Sequence, residues 1–381
     1  MNIALVKFKC SHEQLRDAVL KLDDKVIRGE DVGRLRLIMP TADEVELLQS
    51  QDGAAAFGAA EKFLLLMAAV PRLRQRLECF QAKMNFDSRV MDADAQVNAL
   101  LWATDAVRKS KRLPQLLSLI LQLGNFLNEG SAKGAAEGFR FDVLQKLSDT
   151  KSSASEGSGG QISLLHYLAR CVTKQQKELQ RELKSELAAL EEAHQPPLTS
   201  ANIEEEIAAL AKEIEMMRSE LPHHATPFSP VDAFSSVIEE FVSSASDKLA
   251  RLQKKRDEMY TQLGALHTYL GQDQPDGEPE QVLSRVHAFA VSFGKACRDN
   301  EREELLQKKQ AADAKAKPSG GGGVRSAVRK KLAVPSHVMS SIQGSLRRGE
   351  FAQMKALQAQ MSHELAHRMA VRRNSITGSD D

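Results

Sequence analysis

The chain has 381 residues, with 52 Lys and Arg against 51 Asp and Glu, and its net charge of +1 gives no global attraction for nucleic acid or an anionic membrane. Aromatic residues are only 5% and charged residues 27%, while Ala, Leu, Glu, Lys, Gln and Arg dominate, so an all-α protein is expected rather than a β-sandwich. Cys10, Cys79, Cys171 and Cys297 form no CxxC pair, no signal peptide opens the sequence, and no apolar run approaches the roughly 20 residues that cross a bilayer. The expectation is a cytoplasmic protein with reduced, buried cysteines and no membrane span.

In chain order, Ser11 predicts a helix cap ahead of Leu15, Ala18 and Val19, and Thr41 a second cap ahead of Val45 and Leu48. Gly33 and Met39-Pro40 are expected to separate these short helices. From Ala59 to about Lys111 the pattern is helical, with Pro71 starting a new helix or kinking the old one. Pro114 then stands in a first helical turn, and Leu116, Leu117, Ile120, Leu121, Leu123 and Leu127 make a segment apolar nearly all round, which predicts burial at the centre of a core.

Glycines break up the next stretch, and Ser152 to Gln161 reads as a Ser/Gly-rich loop. A helix is predicted from Leu164 through a charged stretch to about Ala193. Ile238, Val242, Ala245, Leu249, Leu252, Met259, Leu263, Leu266 and Leu270 follow steps of four and three, interrupted only at Arg256, which predicts one face for knobs-into-holes packing. A last long helix carries Val282, Val286, Phe289, Phe293 and Ala296 and fades into a charged, solvated stretch from Arg302 to Lys317. These patterns predict an elongated helical bundle or coiled-coil body with a flexible tail. Between Pro318 and Asp381, ten Lys or Arg meet four Asp or Glu, so a polyanionic partner would meet this end.

Several blocks carry a more specific signal. They are Leu121-Gln122-Leu123-Gly124-Asn125-Phe126-Leu127-Asn128, then Gly138-Phe139, then Lys146-Leu147-Ser148-Asp149-Thr150-Lys151-Ser152, then Leu164-Leu165-His166-Tyr167-Leu168. In order and spacing they resemble the GN(F/Y)xN, GF, KLxDTKS and LLHYL blocks of the formin homology 2 domain, with Ala154 to Gly160 as a small insertion. Asn2-Ile3-Ala4-Leu5, Pro71-Arg72-Leu73, Tyr269-Leu270-Gly271-Gln272-Asp273 and Asp299-Asn300 fit around them, so the resemblance spans about residues 2 to 315. Residues 1–95 are similar to the family's knob and residues 96–317 to its three-helix, coiled-coil body and post. Residues 318–335 read as a flexible basic linker and residues 336–381 as a basic tail.

The resemblance implies a non-enzymatic factor, without cofactor or metal, that nucleates actin filaments and stays on the barbed end as subunits add. In the family an Ile of the first block inserts into an apolar groove of actin, here Ile3, and a Lys of the KLxDTKS block makes a second actin contact, here Lys151. Such a pair is physically reasonable, because one apolar anchor supplies affinity while a lysine meets an acidic surface. Gly124, Asn125, Asn128, Gly138 and Phe139 stand in the post that receives a partner's lasso. The family closes a head-to-tail homodimer with that lasso, which precedes the knob. The sequence opens at the knob, so a monomer, and a C-terminal portion of a longer formin, are expected. The alternative is a helical scaffold or regulatory fragment that binds actin or another formin chain without nucleating filaments.

In the tail, Val338, Met339, Ile342 and Leu346 share one helical face beside Arg347 and Arg348, which suits insertion into a partner's groove. This segment resembles the diaphanous autoregulatory motif and, more distantly, a WASP-homology 2 motif, implying an inhibitory domain in trans or monomeric actin as partner. Ser340 stands where the autoregulatory motif usually has Asp. His363-Glu364-Leu365-Ala366-His367 has the HExxH spacing of zinc enzymes, but it lies in a polar tail with only Asp380 and Asp381 downstream, so no metal site is expected. Arg372-Arg373-Asn374-Ser375 suits a basophilic kinase, and phosphate on Ser375 would offset the tail's charge.

Overall fold

A computed structural model describes residues 8, 10–50, 57–131, 135–151, 162–176, 178–194, 198–271 and 278–316. The helices are α1 His12–Lys21, α2 Gly29–Leu37, α3 Ala42–Ser50, α4 Ala59–Ala68, α5 Leu73–Lys109, α6 Arg112–Leu127, α7 Val143–Asp149, α8 Leu164–Gln175, α9 Leu179–Glu186, α10 Leu190–Ala193, α11 Ser200–Glu220, α12 Phe234–Tyr269 and α13 Gln281–Ala316. The protein is all-α: among the described residues there is no strand, and an antiparallel bridge pairs Lys151 with Ser163. No described helix is long and apolar enough to cross a membrane. The chain divides into two compact units, one of residues 1–110 with 181–291 and one of residues 111–180 with 292–381.

Local chemistry starts the helices of the first unit. Ser11 Oγ accepts the Gln14 amide at 3.2 Å while Gln14 Oε1 accepts the Ser11 amide at 2.9 Å, a reciprocal cap that satisfies two otherwise orphaned donors. Thr41 and Glu44 repeat the arrangement at 3.3 and 2.9 Å. Both caps agree with the sequence expectation. Gly33 does not: it lies inside α2, an added Cβ there would meet nothing within 4 Å, and the apolar register of Val32 and Leu35, both buried, carries the helix through it.

The centre of this unit is a bundle of α5, α11 and α12, and its register can be followed in charged pairs. Lys248 reaches Asp87 and Lys255 reaches Asp94, each at 2.6 Å and each spanning 161 residues, so α5 and α12 run parallel with constant offset. Arg89 forks to Glu206 and Glu213 at 2.6 Å each, and Arg256 binds Glu204 at 2.9 Å. With Arg72 on Glu220, these pairs place α11 antiparallel to both neighbours. Half-exposed ion pairs of this kind contribute little stability, but like-charge contacts in a shifted alignment make them effective in selecting register.

Stability comes from the apolar seams between the helices. Ile203, Ile207, Leu210, Ile214 and Met217 of α11 are buried, as are Ile238, Val242, Ala245, Leu249, Leu252, Met259, Leu263 and Leu266 of α12. The seam read from the sequence is therefore the packed face as far as Leu266, while Leu270, past the end of α12, is only half-buried; Arg256 escapes the seam by pairing with Glu204 and Asp257.

The second unit contains α6, α7, α8 and the later part of α13. Leu113, Leu116, Leu119, Ile120 and Leu123 of α6 are buried, but Leu127 at its last turn is 56% exposed, so the segment is apolar beyond its buried stretch. The helix expected from 164 to 193 is instead the three pieces α8, α9 and α10. Around residues 185–191 the amides of Ala188, Leu190 and Glu191 bond three residues back rather than four, which tightens the chain and turns it. Among the cysteines, Cys79 and Cys297 are buried, their thiols pushed up to about 12 and about 11 by desolvation, whereas Cys10 and Cys171 are only partly covered.

Candidate functional site

The end of α6 and the loop after it carry five of the residues singled out in the sequence. Asn128 closes the helix, its amide and its Nδ2 both donating to the Gly124 carbonyl, at 3.1 and 2.9 Å. The chain then turns at Gly130, whose φ of +78° lies in the left-handed region that glycine enters without strain. Asn125 completes the loop by imitating a backbone: its Nδ2 donates to Ala136 O at 2.8 Å and its Oδ1 accepts the Ala136 amide at 2.9 Å. Gly138, exposed, and Phe139, half-buried, follow on the same loop. Among the described residues a Cβ added at Gly124 or Gly138 would meet nothing within 4 Å, so their packing does not require either glycine.

Lys151 belongs to a second assembly. Thr150 ends α7, with its amide and hydroxyl both donating to Lys146 O, at 3.0 and 2.9 Å. Lys151 follows, exposed, paired across the antiparallel bridge with Ser163, and the Leu164 amide donates to Thr150 O at 2.8 Å. Ser163 is the N-cap of α8.

In the first unit, α2 and the beginning of α5 line a groove with Arg34, Arg36 and Arg74 beside Leu37 and Met39. Leu37 is 86% exposed, an unusual position for a large apolar side chain. Arg36 is held against Gln81 and Glu78, and Arg34 against Asp31 and Glu30.

Sequence reasoning missed a buried polar junction in the same unit. Arg76, 1% exposed, forks onto Asp232 at 2.8 and 2.6 Å and donates to His224 Nδ1 at 3.0 Å. Asp232 also accepts the Phe228 and Phe234 amides, at 3.0 and 3.2 Å. Burial alone would raise the Asp232 carboxyl, but these donors outweigh it and hold it below the usual carboxylate range. Arg72, at φ +51°, grips Glu220 through two bonds of 2.8 and 2.6 Å and lowers that carboxyl too. His223 and His224 carry no metal-ligand signal in the sequence, and His224 here is a buried hydrogen-bond partner. Among the described residues no group of three His, Cys, Asp or Glu is placed to hold a metal.

His224 makes the junction acid-sensitive. Accepting from Arg76 at Nδ1 leaves its proton on Nε2, facing Glu220 at 3.7 Å. Burial first, and Arg76 second, lower its pKa against the opposing pull of Glu220 and Asp232. The unfolded chain, with His near 6.5, therefore takes up the proton before the folded one does. Stability is complete above about pH 6.5 and falls as pH drops through that value toward the folded pKa. Denaturation midpoints between pH 7.5 and 5.5 should fall more steeply in the parent than in His224→Gln, which keeps the acceptor for Arg76. His287, lowered by burial and by His194, leaves a residual slope in both proteins.

Ile3 lies outside the described residues, as do Val338, Met339, Ile342, Leu346, Arg347 and Arg348 of the tail, the His363–His367 pair and Ser375. Comparison with known proteins bears on the rest. The sequence profile of the Formin Homology 2 Domain matches residues 1–294. The chain belongs to the formin homology 2 family. Formin-like protein 20 of Arabidopsis thaliana is 31% identical over 311 residues, which cover 81% of this chain and 18% of that protein. Formin-like protein 6 of Oryza sativa subsp. japonica is 31% identical over 311 residues, 81% of this chain and 22% of the relative. For Formin-like protein 18 of Arabidopsis thaliana the identity is 33% over 311 residues, 81% of this chain and 26% of the relative. This formin homology 2 chain thus spans about a fifth to a quarter of the length of these curated relatives.

Proposed function

We propose that the chain binds actin and takes part in filament nucleation and barbed-end elongation, with Ile3 as the apolar anchor and Lys151 as the cationic contact. The family match over residues 1–294 supports this, and the observation that carries it is the placement of Lys151, exposed on a backbone bridged to Ser163 and preceded by Thr150, whose amide and carbonyl are both hydrogen-bonded. A lysine so placed costs less ordering on binding than one on a free loop. Residues 1–95 act as the knob and residues 96–317 as body and post. A Cβ added at Gly124 or Gly138 would meet none of the described residues, which leaves room beside Asn125, Asn128 and Phe139 for a lasso from a second copy.

Pyrene-actin assembly tests the reading, run with residues 1–381 alone and with the lasso and linker of a formin relative joined before them, alongside the mass of each in solution. The joined protein is expected to dimerise and to accelerate assembly well above the 381 residues alone. Dimer formation without any acceleration would remove the proposed activity.

A further inference from the structure

Lys151 and Ser163 form the two ends of the Ser/Gly-rich segment, whose residues 152–161 lie outside the described set. Among the described residues these ends are joined by an antiparallel bridge, flanked by the Leu164 amide on Thr150 O. Because the bridge ties the Lys151 backbone to Ser163, whatever braces Ser163 also bears on Lys151.

The bracing comes from the first turn of α8. Ser163, 6% exposed, accepts the His166 amide at 3.4 Å, and its Oγ lies 2.7 Å from His166 Nδ1. With the hydroxyl proton given to Nδ1, the ring proton sits on Nε2, which faces Asp299 Oδ2 at 3.7 Å. Asn300, 5% exposed, donates Nδ2 to His166 O at 2.8 Å and accepts Arg170 Nε at 3.2 Å, while Arg170 also reaches Glu303 at 2.7 Å. Residues of α13 thus hold the first turn of α8 through both the ring and the carbonyl of His166. Ser, His and Asp are the residue types of an acyl-transfer triad, but this serine is buried and its oxygen already serves the helix cap.

We propose that Ser163 and His166, braced by Asp299 and Asn300, are positioning residues for Lys151, fixing the backbone from which it offers its charge. The functional half of this rests on the reading of Lys151 as an actin contact. Hydrogen exchange in the 381-residue chain separates the two halves. His166→Ala should speed exchange of the Leu164 amide about five- to tenfold, the loss of roughly one hydrogen bond's support, and leave the Ile207 amide of α11 unchanged. Ser163→Ala should do the same if the first variant folds poorly, and His166→Gln, which can still meet the hydroxyl, should restore most of the protection. An unchanged Leu164 amide in both alanine variants would overturn the proposal.

Actin binding by the same proteins then reads the coupling. His166→Ala should weaken it, and the double variant with Lys151→Ala should bind no worse than Lys151→Ala alone. Additive losses in that cycle would overturn the positioning role. If Lys151→Ala itself leaves binding intact, the actin reading of Lys151 fails while the exchange result still decides the brace.

Discussion

Asp232→Ala is expected to lower the unfolding free energy of the first unit by about 3–5 kcal/mol, because it leaves the Arg76 guanidinium buried without its counter-charge. The side chains of Arg76 and Asp232 are 1% and 3% exposed, so water cannot replace the lost carboxylate without local opening. Arg76 would retain the Pro71 carbonyl at 3.1 Å, His224 and the Phe234 ring, 4.9 Å from its guanidinium carbon, none of which carries a full negative charge. The Phe228 and Phe234 amides would lose their acceptor as well. Replacing both members, as Arg76→Met with Asp232→Leu, should cost markedly less than Asp232→Ala alone, since no charge is then stranded. Urea unfolding followed by circular dichroism measures both, and a loss below about 1 kcal/mol for Asp232→Ala would mean that the junction is hydrated.

A comparable loss, about 3–5 kcal/mol, is expected for Phe86→Ala. Phe86 on α5 is fully buried and meets Phe241 of α12 edge-on, with ring centroids 5.5 Å apart at 84°. The salt bridges Asp87–Lys248 and Asp94–Lys255 lie beside and beyond it along the same helix pair. These hold α5 and α12 in register and limit how far the helices can collapse into the vacated volume, so the cavity term remains. Phe86→Leu, filling most of the space, should recover more than half of the loss in the same unfolding experiment.

The bundle was legible in the sequence where one helix face does one job. The four-three spacing from Ile238 to Leu266 states its own burial, and Ser11 and Thr41 announce helix starts by chemistry that acts over three residues. Gly33 misled because a helix tolerates glycine where its apolar register continues, at a cost of about 1 kcal/mol against alanine. The break-up of residues 164–193 depends on turns that tighten by one residue, which periodicity does not record.

The site was legible only in part. Gly124, Asn125 and Asn128 are near neighbours in sequence, and Asn128 caps onto Gly124, but the partner of Asn125 is a backbone 11 residues on. Ser163 directly before an apolar helical run carries a cap signal, yet its bond to His166, and the hold of Asn300 on His166 across 134 residues, exist only after folding. Arg76 and Asp232, separated by 156 residues, left no trace that one sequence could reveal.

The most direct test of the actin-facing reading is assembly by residues 1–381 joined to a relative's lasso and linker, compared with the same protein carrying Lys151→Glu. The parent is expected to accelerate pyrene-actin assembly, and the charge reversal to remove most of that acceleration while dimer mass and helical content stay unchanged. Full acceleration by the Lys151→Glu protein would contradict that reading.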